Sequence, residues 1–318
     1  MAVPAAKTIV ATGCTSGLGF ELVKQLLAEA QPYHFILGAR DINTAQAAYD
    51  KIQYDSKHTV TILPVELSDL QTVKSFAHQT LETLGQRPID YLLLNAGIAR
   101  DADDRPGPNG SQWCDSYIIN HLCQCPECPP PVCLLQLLIA DEPQAQHYLI
   151  HLLRAKLEFS HSRIVVVSSG AIRRVKETSG LEDQLKAGAC TETGLYPTTK
   201  FIQLLGAHWW RRELMGKCTV VATSPGLIPG TGIGRFAKPG QPYPSPNHPD
   251  AKSVPDGARS ILAAFTRDDL PEDPERIFLT SWGEWWPKDV YSLALDRELQ
   301  NKWCPTKEDI EKVEGIAA

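Results

Sequence analysis

Basic residues do not predominate in this chain. Its 31 Lys and Arg stand against 37 Asp and Glu, a formal charge of −6. Binding of nucleic acid or of an anionic membrane through a basic surface is therefore not expected. Long apolar runs are missing too: none approaches the roughly 20 residues that span a bilayer, so no membrane crossing is expected. The opening stretch MAVPAAKTIV has no basic segment followed by an apolar one, so a secretory signal is not expected. No internal repeat is found. What is present is ordinary for a globular protein: 318 residues, 43% hydrophobic and 21% charged. That length accommodates one large α/β domain or two small ones. Of nine cysteines, Cys14, Cys114, Cys190, Cys218 and Cys304 are scattered. Scattered thiols without a signal imply a reducing, cytoplasmic setting.

Short apolar runs alternate with helical patterns. KTIVATG (7–13) is a continuous apolar run ending in glycine, the pattern of a buried parallel strand. In GLGFELVKQLLAEA (17–30), Leu18, Leu22 and Leu26 recur at helical spacing, with Val23 and Leu27 beside them. Further strands are expected at 34–40, 59–67, 90–97, 163–169, 218–226 and 276–282, which makes seven. Ser68 is the expected N-cap of the helix that follows the third strand, with Asp69 in its first turn. Strands alternating with helices define an α/β chain: a doubly wound, mostly parallel seven-stranded sheet with helices on both faces. No second core is evident, so residues 1–318 are read as a single domain. The Pro- and Gly-rich stretch 226–256 is too long for a simple connection and is the expected substrate lid.

Between the first strand and the first helix lies TGCTSGLG, with Thr12, Gly13, Ser16, Gly17, Leu18 and Gly19. Glycines there let backbone N–H groups approach a pyrophosphate, which the helix N-terminus stabilises. A plain glycine-rich turn is the bland alternative; the strand before and helix after favour the nucleotide reading.

The TGxxxGxG spacing resembles the short-chain dehydrogenase/reductase family, and the resemblance extends over residues 7–283. Asn95, Ala96 and Gly97 match the family's NAG element. SYIIN ends at Asn120, VVVSSG places Ser169, YPTTK supplies Tyr196 and Lys200, and Ser224–Pro225–Gly226 matches the segment covering the nicotinamide. The resemblance implies a Rossmann fold and hydride transfer between a nicotinamide cofactor and a substrate carbon. It implies that Tyr196 is the acid/base, Ser169 a hydrogen-bond partner of the substrate oxygen, and Asn120 the holder of a water that links Lys200 to solvent. A free tyrosine, with a pKa of about 10, is a poor base at neutral pH. The Lys200 cation, four residues on along the same helical face, lowers that value. Taken alone, Tyr196 and Lys200 would read as an exposed helical pair. Pro197 fits only a first helical turn. Ser168 is the competing serine.

Cofactor choice rests on Arg40, just beyond the second strand, because a guanidinium suits a 2′-phosphate. NADP is expected and NAD is the second choice; a solvent-facing arginine is the competing reading. Glu66 lies where the family has an aspartate near adenine. Backbone at Ile228 is expected to meet the carboxamide. The family's usual threonine position is held by Gly230, with Thr231 next, and Phe236 and Tyr243 lie in the lid. Trp282, Trp285, Trp286 and Trp303 are expected to pack a terminal helix. The tail and PGLIPGTGIGR are similar to a fungal group of these enzymes, distantly related to retinol dehydrogenases and protochlorophyllide reductases. That similarity implies a small apolar alcohol or ketone from secondary metabolism as substrate. It is compatible with a homo-oligomer. Two rivals remain: a non-catalytic NADP-binding regulator, and a reductase of C=C bonds.

Residues 123–144, CQCPECPPPVCLLQLLIADEPQ, interrupt this pattern. With them removed, Ile118, Leu122 and Tyr148 fall into one helical stripe. A translated intron is the preferred reading, a surface insertion the second and a zinc site the third. No metal is expected, because no second ligand pair follows at finger or ribbon spacing. Prolines this close behind Asn120 would end the helix that positions it.

Overall fold

Strand β1, Lys7–Thr12, sends Ile9 and Ala11 to one face of a sheet and Val10 to the other. Strand β4, Tyr91–Leu94, repeats the division: Leu93 joins Ile9, while Leu92 and Leu94 join Val10. Side chains alternate along a strand, so a run that is apolar throughout needs a hydrophobic layer on both faces. The computed structural model describes residues 4–99, 119–120, 145–186, 195–234, 247–313 and 315–316. The cysteine-rich stretch 123–144, Phe236 and Tyr243 lie outside these. So do positions 118 and 122 of the proposed helical stripe, of which Tyr148 is described and buried.

The other strands are β2 (Tyr33–Ala39), β3 (Thr59–Pro64), β5 (Arg163–Val167), β6 (Thr219–Thr223) and β7 (Phe278–Leu279). They form one seven-stranded sheet in the order β3-β2-β1-β4-β5-β6-β7. Every pairing between these strands is parallel. Helices α1 (Gly17–Leu27), α2 (Ile42–Tyr49), α3 (Leu70–Leu84), α4 (Ala145–Phe159), α5 (Leu181–Leu185), α6 (Leu195–Glu213), α7 (Val254–Thr266), α8 (Arg297–Lys302) and α9 (Lys307–Val313) connect and flank it. One face packs against α3, α4 and α6, the other against α1, α2 and α7. The expected doubly wound Rossmann-type fold is what the chain forms. Large side chains such as Trp210, Phe76 and Tyr148 are fully buried, each contributing about 1.5–3 kcal/mol of hydrophobic stabilisation.

The strands are shorter than their apolar runs. The segments Asn95–Gly97, Ser168–Ser169 and Ser224–Gly226 lie beyond the C-terminal ends of β4, β5 and β6. Their polar groups tie neighbouring strand ends together: Ser168 N donates to Thr223 O at 2.9 Å, and Ser224 N to Leu279 O at 3.0 Å. The strand order reverses between β1 and β4, and an open parallel sheet places its crevice at such a point.

The cap of α3 is Asp69 rather than Ser68: its carboxylate accepts from Gln71 N at 2.9 Å, while Ser68 N donates to Glu66 Oε1 at 3.0 Å. Asp69→Ala is therefore expected to lower stability by about 1 kcal/mol, whereas Ser68→Ala changes little. Chemical denaturation of the two variants separates these outcomes.

At the C-terminus the tail is fastened to α4. Tyr148 Oη donates to Glu311 Oε1 at 2.8 Å, and His147 Nε2 lies 2.9 Å from Pro305 O. Trp303 packs as expected, but Trp282 does not: 72% of it is exposed, with the Lys252 ammonium over its ring. Among the described residues, no helix is long and apolar enough to cross a membrane.

Candidate active site

Gly13 follows β1 in the left-handed region, at φ +67°. A Cβ there would lie 2.5 Å from Ala96 Cα, so only glycine lets the β1 turn approach the segment after β4 this closely. Gly19 serves the next contact; a Cβ would meet Gly13 O at 2.4 Å. Polar groups then lock the two segments. Asn95 Nδ2 donates to Gly13 O at 2.8 Å, and Ala96 N donates to Thr12 Oγ1 at 3.3 Å. Thr12 and Asn95 thus brace the floor of a crevice.

The crevice has a volume of about 240 Å³. Thr12, Gly13, Ser16, Gly17, Leu18, Arg40, Glu66, Asn95, Ala96, Gly97, Tyr196, Pro225, Gly226 and Ile228 all line it. Gly19, Asn120, Ser169 and Lys200 were also expected at the site and do not line it; they lie behind or beside the wall. Lining residues that sequence reasoning missed include Val65, Leu67, Ile98 and Ile119. Alternation past the end of β3 could have found Val65 and Leu67.

The groups on this wall fit a phosphorylated dinucleotide. Ser16 is the N-cap of α1 but makes no side-chain cap bond, so the first-turn N–H groups face the crevice uncapped. Arg40 is exposed at the far end, with no hydrogen bond or ion pair to another described residue. Its neighbour Asp41 caps α2, accepting from Thr44 N at 3.0 Å and Thr44 Oγ1 at 2.6 Å. Those bonds hold the Asp41 carboxyl below its ordinary range. The acid at this strand end is therefore committed to a helix and the guanidinium is available. Thr231 also lines the crevice, its Cβ 4.0 Å from where a Cβ on Gly17 would stand. Gly230, which holds the family's usual threonine position, precedes it at φ +76°.

Helix α6 is described from Leu195, and Pro197 lies in the first turn of its described part, where a missing N–H costs little. Tyr196 is half-buried on the crevice wall and Lys200, one turn on, is buried beneath it. Lys200 Nζ is 5.9 Å from the Tyr196 ring centre. It donates to Val167 O at 2.8 Å and to Gln203 Oε1 at 2.9 Å. Burial pushes its amine down to about 7. Ser168 is buried and donates to Lys200 O at 3.0 Å, so it fastens α6 to β5. Ser169 is half-buried at the head of a short 3₁₀ turn, Oγ accepting from Ala171 N at 3.1 Å. Gly170 N donates to Ser224 Oγ at 2.9 Å, and Trp286 closes over that glycine. Trp286, read from sequence as tail packing, therefore abuts the turn that holds Ser169.

Asn120 is fully buried. Its Oδ1 accepts from Ile98 N at 2.7 Å, and its Nδ2 donates to Ile98 O at 2.8 Å and Thr199 Oγ1 at 3.0 Å. Both amide hydrogens are committed, so this side chain braces α6 against the segment after β4. The expected lid is described only at its two ends, which Lys252 N joins by donating to Leu227 O at 2.8 Å.

A glycine-rich turn, an NAG segment and a Tyr–Lys pair around one crevice of a parallel sheet define a nucleotide-dependent oxidoreductase of the short-chain type. The chain belongs to the short-chain dehydrogenase/reductase family. Residues 7–122 match the family model described as short chain dehydrogenase. A short-chain dehydrogenase/reductase of Pestalotiopsis microspora is 54% identical over 316 residues, which is 98% of this chain and 100% of that relative. The human 3-keto-steroid reductase/17-beta-hydroxysteroid dehydrogenase 7 is 38% identical over 93 residues, 29% of this chain and 27% of its own. Among solved structures, the NADPH-bound carbonyl reductase from chicken fatty liver superposes with a TM-score of 0.62 at 19% identity, over 88% of this chain and 94% of that one.

Proposed function

We propose that this protein is an NADP-dependent oxidoreductase that interconverts an alcohol and a carbonyl on a small apolar substrate. The observation that carries the reading is that Tyr196 stands on the wall of the crevice that also contains the glycine turn and Arg40. The uncapped α1 N-terminus and the Gly13–Gly17 turn would hold the pyrophosphate, and Arg40 a 2′-phosphate. Glu66, Asn95–Gly97 and Pro225–Ile228 would line the rest of the cofactor. A nicotinamide held here supplies or accepts the hydride. Tyr196 moves the proton at the substrate oxygen: the phenol donates it as a carbonyl is reduced and the phenolate takes it back as an alcohol is oxidised. Ser169 donates a hydrogen bond to that oxygen, and Lys200, as a cation, stabilises the phenolate. The Pestalotiopsis relative supports a fungal enzyme of this type. The nine thiols include five scattered along the sequence, a pattern that favours a reducing, cytoplasmic setting.

Purified protein with NADPH and a panel of apolar ketones, aldehydes and enones tests this reading. Consumption of NADPH with formation of a carbinol is the expected result. A saturated ketone formed from an enone would instead identify a C=C reductase. NADPH binding with no turnover on any member would identify a non-catalytic binder.

A further inference from the structure

Lys200 is a buried amine that desolvation alone drives towards its neutral form. A neutral lysine cannot stabilise a phenolate, so something has to favour the ammonium. Its contact with Gln203 Oε1, at 2.9 Å, is the first link of a chain. Gln203 Nε2 donates to Gln146 Oε1 at 3.1 Å, and Gln146 Nε2 donates to Ala96 O at 2.8 Å. Both glutamines are buried, on α6 and α4, among Phe201, Ile202 and Leu149. Buried amides in such a layer are costly unless hydrogen-bonded.

The far end sets the direction of the chain. A backbone carbonyl only accepts, so Gln146 must turn its NH₂ to Ala96 and its oxygen to Gln203. Gln203 must then turn its NH₂ to Gln146 and its oxygen to Lys200. Rotating either amide would set two oxygens, or two NH₂ groups, against each other. The amine therefore always meets an acceptor at this position, and an acceptor favours the charged form.

We infer that Gln203 and Gln146 are positioning residues for Lys200: a two-amide relay, anchored on the Ala96 carbonyl, that holds the ammonium form beneath Tyr196. The inference rests on the reading of Lys200 as the cation that serves Tyr196. It also links that cation to the NAG segment, because Ala96 itself lines the crevice. Of the groups facing Lys200, the titratable one among the described residues is Tyr196. The other neighbours are neutral: the Val167 carbonyl from β5, Gln203 from α6, and Gly97 and Asn120, whose Oδ1 would lie 3.1 Å from a Cβ on Gly97 and Lys200 Nζ 3.3 Å from it. His147 and His151 of α4 turn to Pro305 O, His208 of α6 stacks on Tyr291, and Arg173 stacks on Trp286.

The test uses folding stability, which needs no substrate. Lys200 binds its proton up to about pH 10.5 when unfolded and about pH 7 when folded. Between those values the unfolded state holds the extra proton, so stability rises with pH. Lys200→Met removes this rise, and the difference between the two proteins isolates it. In Gln203→Leu, compared with and without Lys200→Met, the rise is expected to begin about one pH unit lower, the effect of losing one hydrogen bond to a charged group. Gln146→Leu, which frees the Gln203 amide to rotate, is expected to shift it less and in the same direction. It also serves if Gln203→Leu does not fold. An onset unmoved in the folded variants overturns the relay. If the onset moves while the pH profile of NADPH-dependent turnover does not, the relay stands and the Tyr196–Lys200 reading fails.

Discussion

Tyr196→Phe is expected to lower NADPH-dependent ketone reduction by a factor of roughly 10²–10⁴, the range for loss of a general acid, while NADPH affinity stays within a few-fold of wild type. The substitution removes one oxygen and leaves the ring on the crevice wall, so packing at the start of α6 is retained. The effect belongs in kcat, because proton donation is made in the transition state and not in the ground state. Steady-state kinetics on any accepted ketone, with NADPH binding followed by fluorescence, separates this outcome from misfolding. Turnover within a few-fold of wild type would remove Tyr196 from the reaction.

Arg40→Ala is expected to weaken NADPH binding roughly 10- to 150-fold and to leave NADH binding nearly unchanged. The range corresponds to about 1.5–3 kcal/mol for hydrogen bonds to a charged group. The expectation depends on the division of labour at the end of β2. Asp41 is held by the first turn of α2, so it does not compete for the guanidinium. Arg40 is exposed, so the loss would fall as ionic strength rises. Titrations with both nucleotides at two salt concentrations check this; equal loss for NADPH and NADH would show that Arg40 meets a part common to both.

The glycine turn and the sheet were legible in the sequence because local chemistry dictates them, and Tyr196 only through its YPTTK motif. A buried parallel strand needs an unbroken apolar run, and Gly13 is required where two backbones nearly touch. Strand ends were less legible. Val167–Ser168–Ser169 reads as one extended run, yet the ladder stops at Val167 and Ser168 turns to the Lys200 carbonyl. Ser68 and Asp69 are adjacent and both able to cap; the helix starts at Leu70, so Asp69 holds the cap position and the Ser68 N–H goes to Glu66. The Gln146–Gln203 relay was not legible, because its members are 57 residues apart and each looks like an isolated polar residue in an apolar helix. Asn120 was found by its motif, but its partners Ile98 and Thr199 emerge only from the packing of α6 on the segment after β4.

Deuterium transfer reports on hydride delivery from the cofactor to a carbonyl carbon. NADPH carrying deuterium at the transferable C4 position is incubated with the protein and an accepted ketone, and the product is analysed by mass spectrometry and NMR. One deuterium is expected on the new carbinol carbon, with its signal lost in Tyr196→Phe. With an enone as substrate, deuterium on the carbon β to an intact carbonyl would contradict delivery to the carbonyl carbon, as would a carbinol without deuterium.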